Sequence, residues 1–288
     1  MWKLGYLPRE GFQDWPIDKI CRELSAIGYH AVEWSRVTHF QPGEISHSEL
    51  RRLADIPADF GMTVSNVHAE LDYIILDERR RRRNIALTAA CIEAAADLGI
   101  PVVAVTPGPQ RWIPGHTRIP DELSDGDAWA MLFDALDELL KIAERRKVYL
   151  AFEAAWGMLA HDYYTTLPLF SRYSSEYLGI NMDPSHGTLC RNDIPWAVRQ
   201  WGPRIRHCHL KDAIGVPGRD GDTFMFPLLG EGLVDWSAFF VAMREIGYGG
   251  VYSVEFESFN FARRVLHGDM LAAARISWEN IQRLLAHD

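Results

Sequence analysis

Short apolar runs alternate with longer segments of helical periodicity along the whole chain. Two amphipathic helices are predicted over Ile17–Ala26 and Ile85–Leu98, and they end at Gly28 and Gly99, where glycine commonly caps a helix. The apolar runs are predicted to be strands over Lys3–Leu7, Ala31–Trp34, Thr63–His68, Val102–Thr106, Val148–Glu153, Leu178–Asp183, Ile205–Leu210 and Val251–Phe256.

This alternation is typical of βαβ units and a parallel sheet. Eight predicted strands, each followed by a helical segment, favour an α/β fold that closes into a single (β/α)8 TIM barrel over residues 1–288. The alternative is an open doubly wound sheet, but no glycine-rich phosphate loop follows the first strand.

Amino-acid composition and net charge limit the partners and the cellular location that we expect. The chain is 48% hydrophobic and 24% charged, and its net charge of -9 gives no attraction to nucleic acid or acidic membranes. We therefore expect neither as a partner. The four cysteines, Cys21, Cys91, Cys190 and Cys208, are scattered and predict reduced thiols. The N-terminus resembles a strand and not a signal peptide, so a cytoplasmic location is expected.

Groups capable of chemistry accumulate where the last four predicted strands end: Glu153, Asp183, His209 and Glu255. Alternate residues of a strand face the same side, and small or polar residues alternate with these four. The bulkier apolar residues occupy the other face, which is the face that packs on helices. Three carboxylates and one imidazole are therefore predicted to point into one quadrant of the barrel lumen.

Three converging carboxylates repel one another in a low-dielectric cavity unless a positive charge lies between them. A divalent cation is the simplest remedy. Oxygen-rich ligation with one histidine suits manganese, magnesium or cobalt better than a structural zinc. One divalent metal ion per chain is thus expected, with manganese the first choice and magnesium, cobalt or zinc as alternatives.

Several segments together resemble one known family, the sugar phosphate isomerases/epimerases of xylose isomerase-like barrel fold. This family includes ketose 3-epimerases and inosose dehydratases, and the resemblance covers essentially the whole chain. The segments are Phe152-Glu153, Asp183-Pro-Ser-His186, His207-Cys-His-Leu-Lys-Asp212, Gly230-Glu-Gly-Leu-Val-Asp-Trp236, Gly247-Tyr-Gly-Gly250 and Ser253-Val-Glu-Phe-Glu257.

The resemblance implies that Glu153, Asp183, His209 and Glu255 bind one metal ion. It also implies that Glu153 and Glu255 exchange the substrate proton, that His186 contacts the substrate, and that the chain forms a homo-oligomer, a dimer or tetramer. The implied function is a divalent-metal-dependent isomerase or epimerase of a small sugar or cyclitol. Proton transfer next to a carbonyl would proceed through a metal-stabilised enediolate.

Two other outcomes share the same first chemical step. An inosose-type dehydratase, or a lyase acting on an oxidised (3-keto) glycoside, would also remove a proton next to a carbonyl. A more distant alternative is a nuclease like the apurinic/apyrimidinic endonucleases, which share this barrel and hold three zinc ions. The fourth strand here ends without the histidine that such a site needs, and the Arg219–Asp222 segment lacks an Asp-x-His motif.

Other polar residues are candidates for the substrate pocket. His68 ends the third predicted strand, Lys211 lies on the His209 face, and Glu257 lies on the Glu255 face, so each could contact substrate or serve a structural role. Glu33 and Trp34 end the second strand and could form the opposite wall, with plain packing the default for Trp34.

Some positions depart from the ketose 3-epimerases. Those enzymes carry a second glutamate six residues after the first metal-binding one, where this chain has Leu159. The arginine expected soon after the seventh strand is also missing at its usual offset, and Arg219 could replace it. Two long connections, Pro107 to about Gly126 and Lys211 to about Val234, are candidate lids, and Trp112 and Phe224–Phe226 favour that interpretation.

Overall fold

A computed structural model describes residues 2–106, 108–110 and 116–286. Eight parallel strands form a closed barrel in which each strand pairs with its neighbours along the chain and the last pairs with the first. The barrel strands are β1 Lys3–Tyr6, β2 Ala31–Ser35, β3 Thr63–Ala69, β4 Val102–Val105, β5 Tyr149–Glu153, β6 Leu178–Met182, β7 Ile205–Leu210 and β8 Val251–Val254. Closure confirms the (β/α)8 TIM barrel and excludes an open sheet.

Helices surround the barrel and pack on the outward faces of the strands. They are α1 Ile17–Ile27, α2 His47–Asp59, α3 Glu78–Asp97, α4 Asp125–Arg146, α5 Tyr163–Arg172, α6 Pro184–Leu189, α7 Ile194–Trp201, α8 Trp236–Glu245, α9 Phe259–Arg264 and α10 Met270–Ala286. No helix of the described residues is both long and apolar enough to cross a membrane.

The predicted end of α1 is correct, because Gly28 caps the helix with a φ of 123°. The amphipathic stretch predicted over Ile85–Leu98 lies within α3, and the run Arg79–Arg83 opens that helix, as expected for it from the sequence. Asp77 caps this helix by accepting a hydrogen bond from the backbone N–H of Arg80, so the helix begins at Glu78 and includes the arginine run. Hydrophobic periodicity could not find this start because the first turns are charged and exposed.

The connection after β7 is organised by one buried carboxylate. Asp212 Oδ2 accepts hydrogen bonds from the backbone N–H groups of Gly230 and Gly232 at 2.9 and 3.1 Å. It also accepts from Trp236 Nε1 at 2.9 Å, and its Oδ1 accepts from Val234 N at 3.1 Å. Hydrogen bonds therefore join the segments His207–Asp212 and Gly230–Trp236 beside the carboxyl end of β7.

Between Asp212 and Gly230 the chain turns back on itself. Ile214–Gly215 pairs antiparallel with Phe224–Met225 and forms a short hairpin. The other long connection is described only in part, and Trp112 lies outside the described residues.

Replacing Asp212 with Ala should destabilise the protein by about 3–5 kcal/mol, because five donors, the backbone N–H of Ala213 among them, lose their acceptor. The free energy of unfolding measured in urea would show this loss, and Asp212→Asn, which retains one acceptor oxygen, should lose less. The control is Asp222→Ala, an exposed aspartate of the same connection, which should change stability by no more than about 0.5 kcal/mol. A loss in Asp212→Ala as small as that of the control would contradict this role.

Candidate metal centre

The carboxyl end of the barrel brings four groups together. Glu153 ends β5, Asp183 follows β6, His209 lies in β7 and Glu255 follows β8. Each offers one potential ligand atom, and these atoms all lie within 4.8 Å of one another. All four residues are buried. This set, which we call the four-group cluster, is the set that strand alternation predicted to share one quadrant.

His209 presents its two ring nitrogens to different carboxylates. Its Nε2 lies 3.1 Å from both carboxylate oxygens of Glu33. Its Nδ1 faces the cluster, 3.4 Å from Glu255 Oε2 and 3.7 Å from Glu153 Oε2. The nitrogen toward the cluster is therefore the one that could bind a metal, while Glu33 orients the ring from behind.

Glu33 is in turn held by the neighbouring strands. Asn66 Nδ2 donates to Glu33 Oε1 at 2.7 Å, and the backbone N–H of Ala104 donates to Asn66 Oδ1 at 2.9 Å. Glu33, His207 and His209 also form a second group of potential ligand atoms. Burial lowers the pKa of His207 to about 4, so this imidazole is neutral near pH 7.

Two cationic side chains contact the carboxylates. Lys211 Nζ lies 2.5 Å from Glu255 Oε2, 2.9 Å from Glu257 Oε2 and 3.1 Å from Asp183 Oδ2. Arg9 Nη2 lies 2.7 Å from Glu257 Oε1 and 3.3 Å from Glu255 Oε1. Burial alone lowers the pKa of Lys211, but the carboxylates of Asp183, Glu255 and Glu257 raise it well above its usual value. Lys211 therefore remains an ammonium ion.

Two further histidines contact Glu153. His68 Nε2 lies 3.2 Å from Glu153 Oε2, and its Nδ1 lies 3.2 Å from Glu70 Oε1. Burial disfavours the charged ring, but Glu70 and Glu153 together raise the pKa of His68 to about 10. His186 Nε2 lies 3.2 Å from Glu153 Oε1.

The glutamates of the cluster are ionised. Burial alone raises the pKa of Glu153, but its contacts with His186 and His209 hold that pKa well below the usual value. Burial likewise raises the pKa of Glu255, and Lys211 and His209 lower it well below its usual value. Negative charge is therefore concentrated at the cluster, and the cationic side chains of Arg9, His68 and Lys211 lie around it.

A cavity of about 720 Å³ opens at the cluster. The predicted substrate residues all line it, together with both glutamates of the cluster: His68, His186, Lys211, Glu257, Glu153 and Glu255. Arg219 also lines the cavity from an exposed position. Leu159 is buried, and its backbone N–H donates to Gly108 O at 3.0 Å.

The default expectation of plain packing for Trp34 is confirmed, whereas the alternative that Glu33 and Trp34 together form the opposite wall of the pocket is wrong. Trp34 packs outside the barrel against α2, where its Nε1 donates to Leu53 O at 2.8 Å. Glu33 points into the lumen, behind His209. Adjacent strand residues face opposite sides, so the two could not line one wall.

Sequence reasoning missed three residues that complete the site: Arg9, Asn66 and Glu70. Glu70 comes directly after β3 and Arg9 lies three residues after β1, so a search that extended a few residues beyond the strand ends could have found both. Asn66 lies within β3. Its role depends on its contact with Glu33 on the next strand, and a single sequence does not reveal that contact.

Comparison with known proteins identifies the family. A family model described as "Xylose isomerase-like TIM barrel" matches residues 21–280. The chain belongs to this family. A solved structure of the same fold, the IOLI protein with a bound zinc atom, superimposes with a TM-score of 0.77 at 19% identity over 99% of this chain and 98% of that one.

Sequence relatives of this xylose isomerase-like barrel differ in activity. The chain is 23% identical to L-ribulose-5-phosphate 3-epimerase of Shigella flexneri, covering 81% of this chain and 80% of the relative. It is 22% identical to inosose dehydratase of Geobacillus kaustophilus, covering 94% and 88%. It is 28% identical to an uncharacterized protein of Methanocaldococcus jannaschii over 66% of this chain, a match that spans 63% of that protein. A match to a protein of Sinorhizobium fredii spans 51% of its length.

The four-group cluster fits a divalent cation. Three carboxylates and one imidazole make an oxygen-rich donor set that suits manganese, magnesium or cobalt. Asp183 Oδ2 is a buried acceptor that receives no hydrogen bond from the described residues. Its Oδ1 is already engaged with the backbone N–H of Ser185. Oδ2 is ion-paired with Lys211 Nζ at 3.1 Å, so it already attracts positive charge and could bind a cation.

Replacing Glu33 with Gln should weaken Mn²⁺ binding about 10–100-fold, because His209 loses the carboxylate that fixes its ring. Calorimetric titration of metal-free protein would measure the Kd, with circular dichroism to verify folding. The control is Glu245→Gln, an exposed glutamate outside the barrel that pairs with Arg199, and its Kd should equal that of wild type. Equal Mn²⁺ affinity of Glu33→Gln and wild type would contradict the positioning role.

Proposed function

We propose that this chain is a divalent-metal-dependent isomerase or epimerase of a sugar-like substrate. Glu153, Asp183, His209 and Glu255 would hold one ion, with manganese the first choice from the chemistry of the donors. Membership of the family and the named relatives, an epimerase and a dehydratase, support an enzyme that acts on a small carbohydrate or cyclitol.

One observation carries this proposal. Glu153 and Glu255 come from β5 and β8, and both approach the Nδ1 side of His209, at 3.7 and 3.4 Å. Both also line the cavity. Two carboxylates from different strand ends therefore border one cavity, as a reaction that removes a proton and returns one requires.

The four-group cluster, its two glutamates and two neighbouring histidines would have different roles in this reaction. A divalent ion held by the cluster would polarise a substrate carbonyl and stabilise the negative charge that develops on proton removal. One of Glu153 and Glu255 would take the proton from the carbon next to that carbonyl, and the other would first accept a proton from solvent and then return it to the opposite face. His68 and His186 would hold substrate oxygens, a role supported by their position in the cavity lining beside Glu153.

A dehydratase or lyase is the second candidate, and the position of Lys211 favours it. Its ammonium group lies 2.5 Å from Glu255 and 3.4 Å from His186 Nε2, inside the cavity. A buried acid next to the proton-transfer carboxylate could protonate a departing hydroxyl or alkoxyl group after the same first step.

Metal-loaded protein incubated in deuterated water with ketoses, inososes and 3-keto-glycosides should exchange a carbon-bound proton of at least one substrate. Deuterium in an isomeric product supports the isomerase or epimerase. Loss of water or of the glycosidic group supports the second candidate. Glu153→Gln and Glu255→Gln should each slow the exchange at least about 100-fold, because each removes one proton-transfer group.

The matched control is Glu245→Gln, an exposed glutamate paired with Arg199 on the outside of the barrel, which should exchange at the wild-type rate. Metal content is measured for each variant, so that loss of the ion is distinguished from loss of the acid or base. If either cavity variant retained wild-type exchange, the assignment of proton transfer to these glutamates would be wrong.

A further inference from the structure

The cavity at the four-group cluster is larger than a free sugar requires. Its volume of about 720 Å³ lies within the range of about 300–1,000 Å³ of pockets that enclose drug-sized ligands. A free hexose is smaller than such a ligand. With its oxygens at the cluster, it would leave part of the cavity for a second group.

Three aromatic side chains line this cavity in an unbroken row, which we call the aromatic wall: Phe226, Phe224 and Trp156. The ring of Phe226 lies 6.1 Å from the ring of His186 and 4.7 Å from Lys211 Nζ. The ring of Phe224 lies 5.3 Å from Phe226 and 4.9 Å from Trp156. The wall therefore begins beside the groups predicted to hold the sugar and extends from them through Phe224 to Trp156.

The aromatic wall is held in place by its own packing. Trp156 and Phe224 form a hydrophobic cluster with Leu189 that is separate from the core of the barrel. Ser258 Oγ donates to the backbone oxygen of Phe226 at 2.7 Å and fixes the chain at the end of the hairpin. An apolar surface that is already ordered binds a ligand without an additional entropic cost of ordering.

The charges of the cavity disfavour an anionic substrate. Arg9 and Lys211 are each already paired with two or more carboxylates. Arg219 is the remaining cationic Lys or Arg among the described lining residues, and it is exposed beside Asp220. Six carboxylates line the described part of the same cavity: Glu10, Glu70, Glu153, Asp220, Glu255 and Glu257. Protonated His68 and a divalent ion held by the cluster would add positive charge, but both contact carboxylates already, so a phosphate would have to compete with those carboxylates for its cations.

We infer that the substrate is an uncharged glycoside, whose sugar lies at the four-group cluster and whose apolar, ring-sized aglycone lies on the aromatic wall. The location of the sugar rests on the proposed function. The aglycone site rests on the volume of the cavity, the continuity of the aromatic wall and the charges. Aromatic rings on the protein and the aglycone would pack in the offset or edge-on arrangements that such pairs prefer.

Calorimetric titration of Mn²⁺-loaded protein with three probes tests this inference: 4-nitrophenyl glucoside (both anomers), glucose, and glucose 6-phosphate. At least one anomer of the aryl glucoside should bind about tenfold more tightly than glucose, because it adds aromatic contacts, and glucose 6-phosphate should bind most weakly. Phe224→Ala should reduce aryl glucoside affinity about tenfold and leave glucose affinity within about threefold of wild type.

Phe224→Leu provides a second variant that keeps apolar bulk and lacks the ring, so its affinity for the aryl glucoside should fall between wild type and Phe224→Ala. The control variant is Tyr164→Ala. Tyr164 is an aromatic residue of α5 that is 62% exposed, and its loss should not change binding of any probe.

Tighter binding of glucose 6-phosphate than of the aryl glucoside would overturn the inference. Equal binding of glucose and the aryl glucoside, or no binding of any probe, would do so as well. Failure of the proposed function has a different signature, namely absence of metal binding and of deuterium exchange. Because the probes are tested by equilibrium binding to wild-type protein, the comparison stands even if a variant does not fold.

Discussion

Buried negative charge at the carboxyl end of the barrel is the constraint that organises this molecule. Glu33, Glu153, Asp183 and Glu255 are all at least 95% buried, and carboxylates in such surroundings persist only when they are paired or bind a cation. Imidazoles, Lys211 and the surrounding hydrogen bonds provide part of that compensation. The barrel holds these groups in a fixed arrangement, so their mutual repulsion cannot be relieved by movement.

The fold meets this constraint with residues from consecutive strands. β5, β6, β7 and β8 are neighbours in the barrel, so the residues at their carboxyl ends necessarily converge. Support extends to the opposite side of the lumen, where Glu33 and Asn66 connect His209 to the backbone of β4. Asp212 fixes the connection that follows β7 and so helps to place the hairpin that carries Phe224.

The sequence predicted the barrel and the four-group cluster because both depend on local patterns. Strand alternation and the position of a polar residue at a strand end are sufficient to assign Glu153, Asp183 and Glu255 to the lumen. The support behind His209 could not be predicted, because the Glu33–His209 pair crosses the barrel between strands that are distant in the chain. The amphipathic stretch Ile85–Leu98 begins later than α3 for a different reason: a capping aspartate and a run of arginines form the first turns with little hydrophobic periodicity.

The substrate preference depends on features that a single sequence shows poorly. Phe224 and Phe226 lie in a connection between β7 and α8, and only the fold brings them to Trp156, which follows β5. The same is true of Arg9 and Glu257, which meet across the β1 and β8 ends of the barrel. The aromatic wall and the balance of charges in the cavity therefore become apparent only in the three-dimensional structure.

The most direct test of the central claim is the number of metal ions bound per chain. The protein would be loaded with Mn²⁺ or Zn²⁺, separated from excess ion, and analysed by inductively coupled plasma mass spectrometry beside the double variant Asp183→Asn/His209→Gln. One ion per chain in wild type and close to none in the variant are the predicted results. Three zinc ions per chain would instead favour the nuclease site, and no bound ion at saturating metal, or equal retention by the variant, would contradict the account.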